Sequence, residues 1–143
     1  MNPVALFSAL VVLLASGLAH GAKAPMSKDA MAKQANHVVR ATVLDVTSKV
    51  QKSEIQTGLG IFRDTVYTIT IRIQDVSKGK ALKVGQEIRV LAWKPHTRKP
   101  NPPGLQGHEV IPKKGDTATF YLKGGGKKPY EPLLPNGMVV VKE

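Results

Sequence analysis

Among the residue types of this chain, histidine is the first to consider for chemistry at neutral pH, because its neutral imidazole can bind a metal. Three of the four histidines, His37, His96 and His108, lie beyond the first 22 residues. Three neutral imidazoles would suit zinc or copper. No two of them have the spacing that places ligands on one helix or strand. We therefore expect ordinary surface histidines, and we keep a histidine-based metal-binding envelope protein as one alternative function.

Motifs for catalysis are missing from the sequence. The chain has no cysteine, which excludes thiolate metal sites and disulfide chemistry. No serine lies in a Gly-x-Ser-x-Gly elbow, and the acidic residues are scattered singly rather than paired. The glycine run Gly124–Gly126 lacks the spacing of a phosphate-binding loop. We predict a protein that is not an enzyme and that uses no cofactor or metal.

Basic side chains give the clearest indication of a binding surface. The sequence has 21 Lys and Arg against 10 Asp and Glu, a formal charge of +11, and such a surface attracts anions over a long range. The predicted partner is an acidic protein or an anionic polysaccharide. The predicted contacts are Trp93, Lys94, Arg98, Lys99, Lys113, Lys114, Lys127 and Lys128. The alternative is that the excess of lysine only maintains solubility.

The types of side chain at this surface set what it is expected to bind. Each lysine would act as a point charge, and Arg98 as a planar fork that grips carboxylate or phosphate. Trp93, Tyr121 and Tyr130 are the rings that we expect to face outward. Aromatic residues are only 5% of the chain, whereas single-stranded nucleic acids are normally bound by several stacking rings. We do not expect a nucleic-acid partner.

The N-terminal segment has the pattern of a secretory signal. An apolar run over Val4–Ala19 is short for a membrane span, which needs roughly 20 residues, and small residues follow it. We predict a signal peptide over residues 1–21, with cleavage near residues 21–24 and export to the periplasm or the cell exterior. The alternative is an uncleaved anchor, which would then be the chain's contact with a membrane.

Residues 25–143 are predicted to form one β-rich domain. Ser27 caps a short helix over Lys28–Ala35, and alternating apolar and polar residues then indicate strands. The predicted strands are Val38–Val50 with a bulge at Leu44–Val46, Thr65–Val76, Glu87–Trp93, Thr117–Leu122, Glu131–Leu134 and Met138–Val141. Long loops are expected at Gln51–Phe62 and Lys94–His108. Pro135–Gly137 is expected to be the turn of a hairpin between the last two strands.

This element order predicts an all-β fold. Five to six antiparallel strands with one short helix favour an OB-like barrel, because closure removes the exposed edges of a small sheet. A seven-stranded sandwich is the alternative, but it requires more strands than the pattern provides.

Four short motifs also occur in a characteristic order. They are Asn36–Val43, Tyr67–Ile71, Val76–Gly79 and Lys114–Thr117. Over roughly residues 36 to 122 the chain resembles netrin-like and tissue-inhibitor-of-metalloproteinases-like modules. The resemblance implies a five-stranded barrel of the OB type and, as a further alternative function, inhibition of an extracellular hydrolase. Those metalloproteinase inhibitors coordinate the target's zinc through an N-terminal cysteine, which this chain lacks, so that mechanism does not carry over.

Overall fold

The structure is a computed structural model that describes residues 23–102, 104 and 106–143. The bounds of its elements are α1 Lys28–Gln34, β1 His37–Lys52, β2 Ile61–Lys78, β3 Glu87–Lys99, β4 Thr117–Gly125, β5 Lys128–Pro132 and β6 Met138–Val140. The predicted signal peptide lies outside the described residues. Within them, no helix combines the length and the apolar character that a membrane crossing requires.

Five strands close into a ring. Their order is β1-β2-β3-β5-β4, and β4 returns to pair with β1. The pairs are antiparallel except for β3 and β5, which run parallel and, within these two strands, meet only where Val90 lies opposite Tyr130. The β3–β5 seam is therefore the weakest closure of the ring, because it has the least backbone pairing.

Inward-facing side chains of the ring form the main core. Ile69, Ile71 and Ile73 of β2 are 0–1% exposed, and they alternate with the outward Thr70 and Arg72 as the period of two requires. The predicted alternation over this strand is confirmed. A closed ring turns one face of every strand toward a shared interior. Alternate apolar residues from strands that are distant in the chain therefore pack together and fill that interior.

A second, smaller cluster lies outside the ring under the helix. The Ser27 hydroxyl accepts a hydrogen bond from the Ala30 amide at 3.2 Å, which confirms the predicted cap. Met31 of α1 packs against Tyr121 of β4. Tyr121 points away from the interior of the ring as predicted, but it is buried under the helix and is not exposed for binding. The helix packs over this side chain, and the sequence pattern of a strand alone does not indicate that a helix will pack against it.

The first three strands run further than predicted. The bulge predicted at Leu44–Val46 is confirmed by a register shift between Val43 and Asp45. The predicted loop over Lys94–His108 is wrong over its first six residues, because β3 continues to Lys99 and pairs there with Ile61. These residues lack an alternating pattern, since neither of their faces covers the core. We call residues 49–52, 61–66 and 93–99 the extension.

The predicted C-terminal hairpin is absent from the described residues. β5 and β6 both pair with the same edge of β4, with Pro132 opposite Leu122 and Met138 opposite Phe120. The intervening turn is tightened by a Gly137 amide bonded to the Leu133 carbonyl at 2.8 Å. The turn redirects the chain along β4 instead of folding it back on itself.

Candidate functional site

The predicted contact residues on β3 point to opposite faces of the extension. Trp93 lies opposite Val66, and the next residue, Lys94, lies opposite Thr65. Successive side chains of a strand alternate between the two faces of a sheet. Trp93 and Lys94 therefore do not form one site, and the Lys94 ammonium instead donates to the Glu109 carbonyl at 2.9 Å.

Arg98 lies on the same face as Trp93, because the extra residue His96 shifts the register of β3 against β2, and its side chain is buried. Its guanidinium forms an ion pair with Asp64, and both side chains are 4% exposed. Further donors reach the carbonyl oxygens of Arg63 at 2.7 Å and Thr97 at 3.0 Å, and the Gln106 amide oxygen at 3.2 Å. The prediction of an exposed anion-gripping fork is corrected, because the donors of Arg98 are used within the chain.

The other predicted lysines are exposed but lie far apart. Lys99 ends β3, Lys113 and Lys114 lie in the turn before β4, and Lys127 and Lys128 lie at the turn after it. The nine residues of β4 span about 30 Å at the usual rise per residue. The lysines therefore do not form one positive rim, because β4 places its two flanking turns at opposite ends of the ring.

The three histidines occupy three different environments. His37 begins β1 and is buried beside Tyr130, His96 is exposed on β3, and His108 is buried against the β3–β5 seam. The expectation of surface positions is thus wrong for His37 and His108. No group of three potential metal ligands comes together within the described parts of the chain, so the structure does not gather the histidines into one site.

A groove runs across the outer face of β2 and β3. Its volume is about 870 Å³. Val66 and Leu91 form an apolar floor together with the half-buried ring of Trp93, and Leu134 faces them from beyond β5. Tertiary structure alone assembles this groove, because its lining comes from several separate segments between Lys23 and Leu134.

Polar side chains line the groove above this floor. They include the carboxylates of Glu54 and Glu131, the ammonium groups of Lys23 and Lys123, and the amide of Gln51. Asp64 also lines the groove, but Arg98 neutralises it. The groove therefore offers donors and acceptors of both signs around an aromatic surface, which suits a ligand with many hydroxyl groups better than a uniform polyanion.

His108 forms one wall of the groove and joins the two sides of the seam. Its Nε2 lies 3.1 Å from the Pro132 carbonyl and must donate to it, while Nδ1 accepts from the Trp93 amide at 3.1 Å. In its neutral form the ring therefore carries its proton on Nε2. Burial lowers the pKa of His108, and the carbonyls of Pro132 and Trp93, which can both accept from the protonated ring, oppose that effect only in part.

Sequence reasoning found Trp93 but missed the rest of the groove. Leu91 and Val66 interrupt a simple alternation, since each is apolar on a face predicted to be polar. This pair of outward apolar residues was the available signal. Lys123 and Glu131 lie opposite each other in the local β4–β5 pair. Glu54 carried no signal, because its approach to that pair depends on how the ring closes.

The chain was also compared with known proteins. No protein-family model, no curated protein and no solved structure matches it. Its function is therefore inferred from the geometry described above.

Proposed function

We propose that the ring is an OB-type barrel and that the chain is an exported, non-enzymatic binding module for an acidic oligosaccharide. The strand circuit supports the first part, because OB barrels are five-stranded and carry ligands on the face of their second and third strands, beside the loop between the first two. The groove lies on that face, and Glu54 of the β1–β2 loop lines it. This placement is the observation that carries the proposal.

The lining of the groove favours a sugar over an acidic peptide. A sugar ring stacks on Trp93, and its hydroxyl groups donate to Glu54 and Glu131. The carboxylates of the same ligand pair with Lys123. The acidic side chains of such a peptide carry no hydroxyl donors for the two glutamates. The net charge of +11 adds long-range attraction for an acidic chain.

Trp93 provides a direct test, because it is the chain's one tryptophan. Its fluorescence is followed during titration with a uronic-acid oligosaccharide and, separately, with the methyl ester of the same oligosaccharide. We expect saturable quenching or enhancement by the acid form and weaker binding of the ester. Raised salt should weaken the acid form more, because it screens the pairs with lysine.

Two substitutions with the same change in charge separate the groove from the general surface. K123A should weaken binding of the acid form and leave the ester unchanged, whereas K127A, at the β4–β5 turn, should alter neither. W93A, followed by calorimetry, should lose about five- to tenfold in affinity for both ligands, the size of one aromatic contact. Equal effects of K123A and K127A, or release of shorter fragments from the oligosaccharide, would overturn the proposal.

A further inference from the structure

The extension has a second face, opposite the groove, that carries cationic, apolar and threonine side chains at its paired strand positions, together with the bulged His96. In the register of the sheet, Lys52 lies opposite Arg63, and Ile61 lies opposite Lys99. Val50 and Lys94 belong to the same face one row closer to the ring. We call this surface the cationic face. It has no acidic residue among those strand positions, whereas Asp64 points to the groove side.

The pairing of Lys52 with Arg63 is unfavourable in the isolated chain. Side chains directly opposite on antiparallel strands lie about 5 Å apart, and like charges there repel. Both residues are exposed, so neither is held in place by burial. An anionic surface against this face relieves the repulsion, and this charge complementarity indicates the sign of the occupant.

Apolar side chains project from the same end of the molecule. Leu59 in the β1–β2 loop is 100% exposed, Ile61 is 52% exposed and Val50 is 45% exposed. The loop is the outermost part of the extension, because β1 ends and β2 begins there. Leucine and isoleucine with lysine and arginine around them form a surface that is both apolar and cationic.

We propose that the cationic face and the β1–β2 loop dock on a bilayer that contains anionic phospholipid. Leu59 and Ile61 enter the headgroup region, while Lys52, Arg63 and Lys99 extend toward the lipid phosphates. A protein partner is disfavoured by composition, since lysine is depleted at the centre of protein interfaces. Basic residues near a bilayer are instead attracted by the negative surface potential of acidic lipids. This contact is independent of the groove.

The absence of cysteine allows a local test in the full chain. An environment-sensitive fluorophore is attached to L59C and, as a matched control, to V84C. Val84 is also exposed, at 66%, but lies in the β2–β3 connection at the opposite end of the ring. A label reports only its own surroundings, so any binding through the N-terminal segment affects both variants alike.

Each labelled variant is mixed with vesicles of phosphatidylcholine alone or with phosphatidylglycerol added. We expect a blue shift and roughly threefold brighter emission from the label at 59, only with phosphatidylglycerol, and no change at 84. In the L59C background, K52E together with R63E should weaken this response about tenfold or more, because each cation near an acidic bilayer contributes to binding.

Other occupants of the face give different results. A shift at position 59 that grows with protein concentration without vesicles would indicate a second copy of the chain. A shift caused by a soluble acidic polypeptide but not by vesicles would indicate a protein partner. Either result, or equal responses at 59 and 84, would overturn the membrane inference, while the Trp93 titration would still decide the groove.

Discussion

The extension continues three of the five strands of the ring, but the two regions are stabilised differently. In the ring, one face of each strand is buried in a shared apolar interior, as for Ile71 and Val90, which are 0% exposed. In the extension no apolar core covers either face: one face carries the groove and the buried pair of Asp64 and Arg98, and the other is the cationic face. Pairing between the three strands continues the sheet into the extension. Both faces of the extension can bind ligands, because no apolar core packs against them.

The extension replaces an apolar core with a buried ion pair. Asp64 of β2 and Arg98 of β3 lie on adjacent strands and hold their ends together. A buried pair of this kind contributes little compared with apolar residues of the same volume, but the loss of one partner leaves an uncompensated charge. The ring and the extension should consequently respond differently to substitution.

The largest effect is expected in the ring. Phe120 is the largest fully buried side chain, and F120A should lower the free energy of unfolding by about 3–5 kcal/mol. Urea denaturation followed by circular dichroism measures this. L59A is the control in the extension and should change stability by less than about 0.5 kcal/mol, because its side chain is exposed. A small effect of F120A would mean that the ring is not the cooperative core.

A smaller and more local effect is expected from D64A. The Arg98 guanidinium is left buried without its carboxylate, at a cost of up to about 3 kcal/mol, limited by local opening that returns Arg98 to water. Amide hydrogen exchange should accelerate at residues 61–66 and 93–99 but not at 69–73. D64L combined with R98M should restore much of the protection. Uniform acceleration over both regions would show that the extension and the ring open together.

The smallest expected effect is a pH dependence of stability that arises from His108 at the β3–β5 seam. Loss of solvation is the main reason why the pKa of His108 lies below 6.5; Lys94 acts in the same direction, and Glu131 opposes it. As the pH falls below about 6.5, the unfolded chain binds this proton before the folded one, so stability decreases toward the lower pKa of the folded state.

H108Q should remove this part of the pH dependence. Glutamine retains an acceptor for the Trp93 amide and a donor for the Pro132 carbonyl but does not titrate. Urea midpoints at about pH 7.5 and about pH 5 should therefore differ less in H108Q than in the original chain. H96Q, at the exposed histidine, should keep the original difference. If both variants behave alike, the seam does not sense pH through His108.

Predictions from the sequence were correct where the signal lies within one element or its immediate neighbours in the chain. Alternation at Ile69–Ile73, the bulge after Val43 and the Ser27 cap are all local patterns, and all three are confirmed. Prediction failed for Arg98, placed in an exposed loop. Its burial depends on Asp64, which is 34 positions away in the chain, and on a pair of strand ends that carry no periodic signal.

The sequence by itself determined the β-rich character of the chain, the short capped helix and the excess of positive charge, because propensity, spacing and charge count are properties of neighbouring residues. Tertiary structure alone decided which lysines are near each other and that His108 is neutral and buried. These depend on ring closure, which brings β3 to β5 and β4 to β1. Closure depends on pairing between strands that are distant in the chain, and no local sequence pattern specifies that pairing.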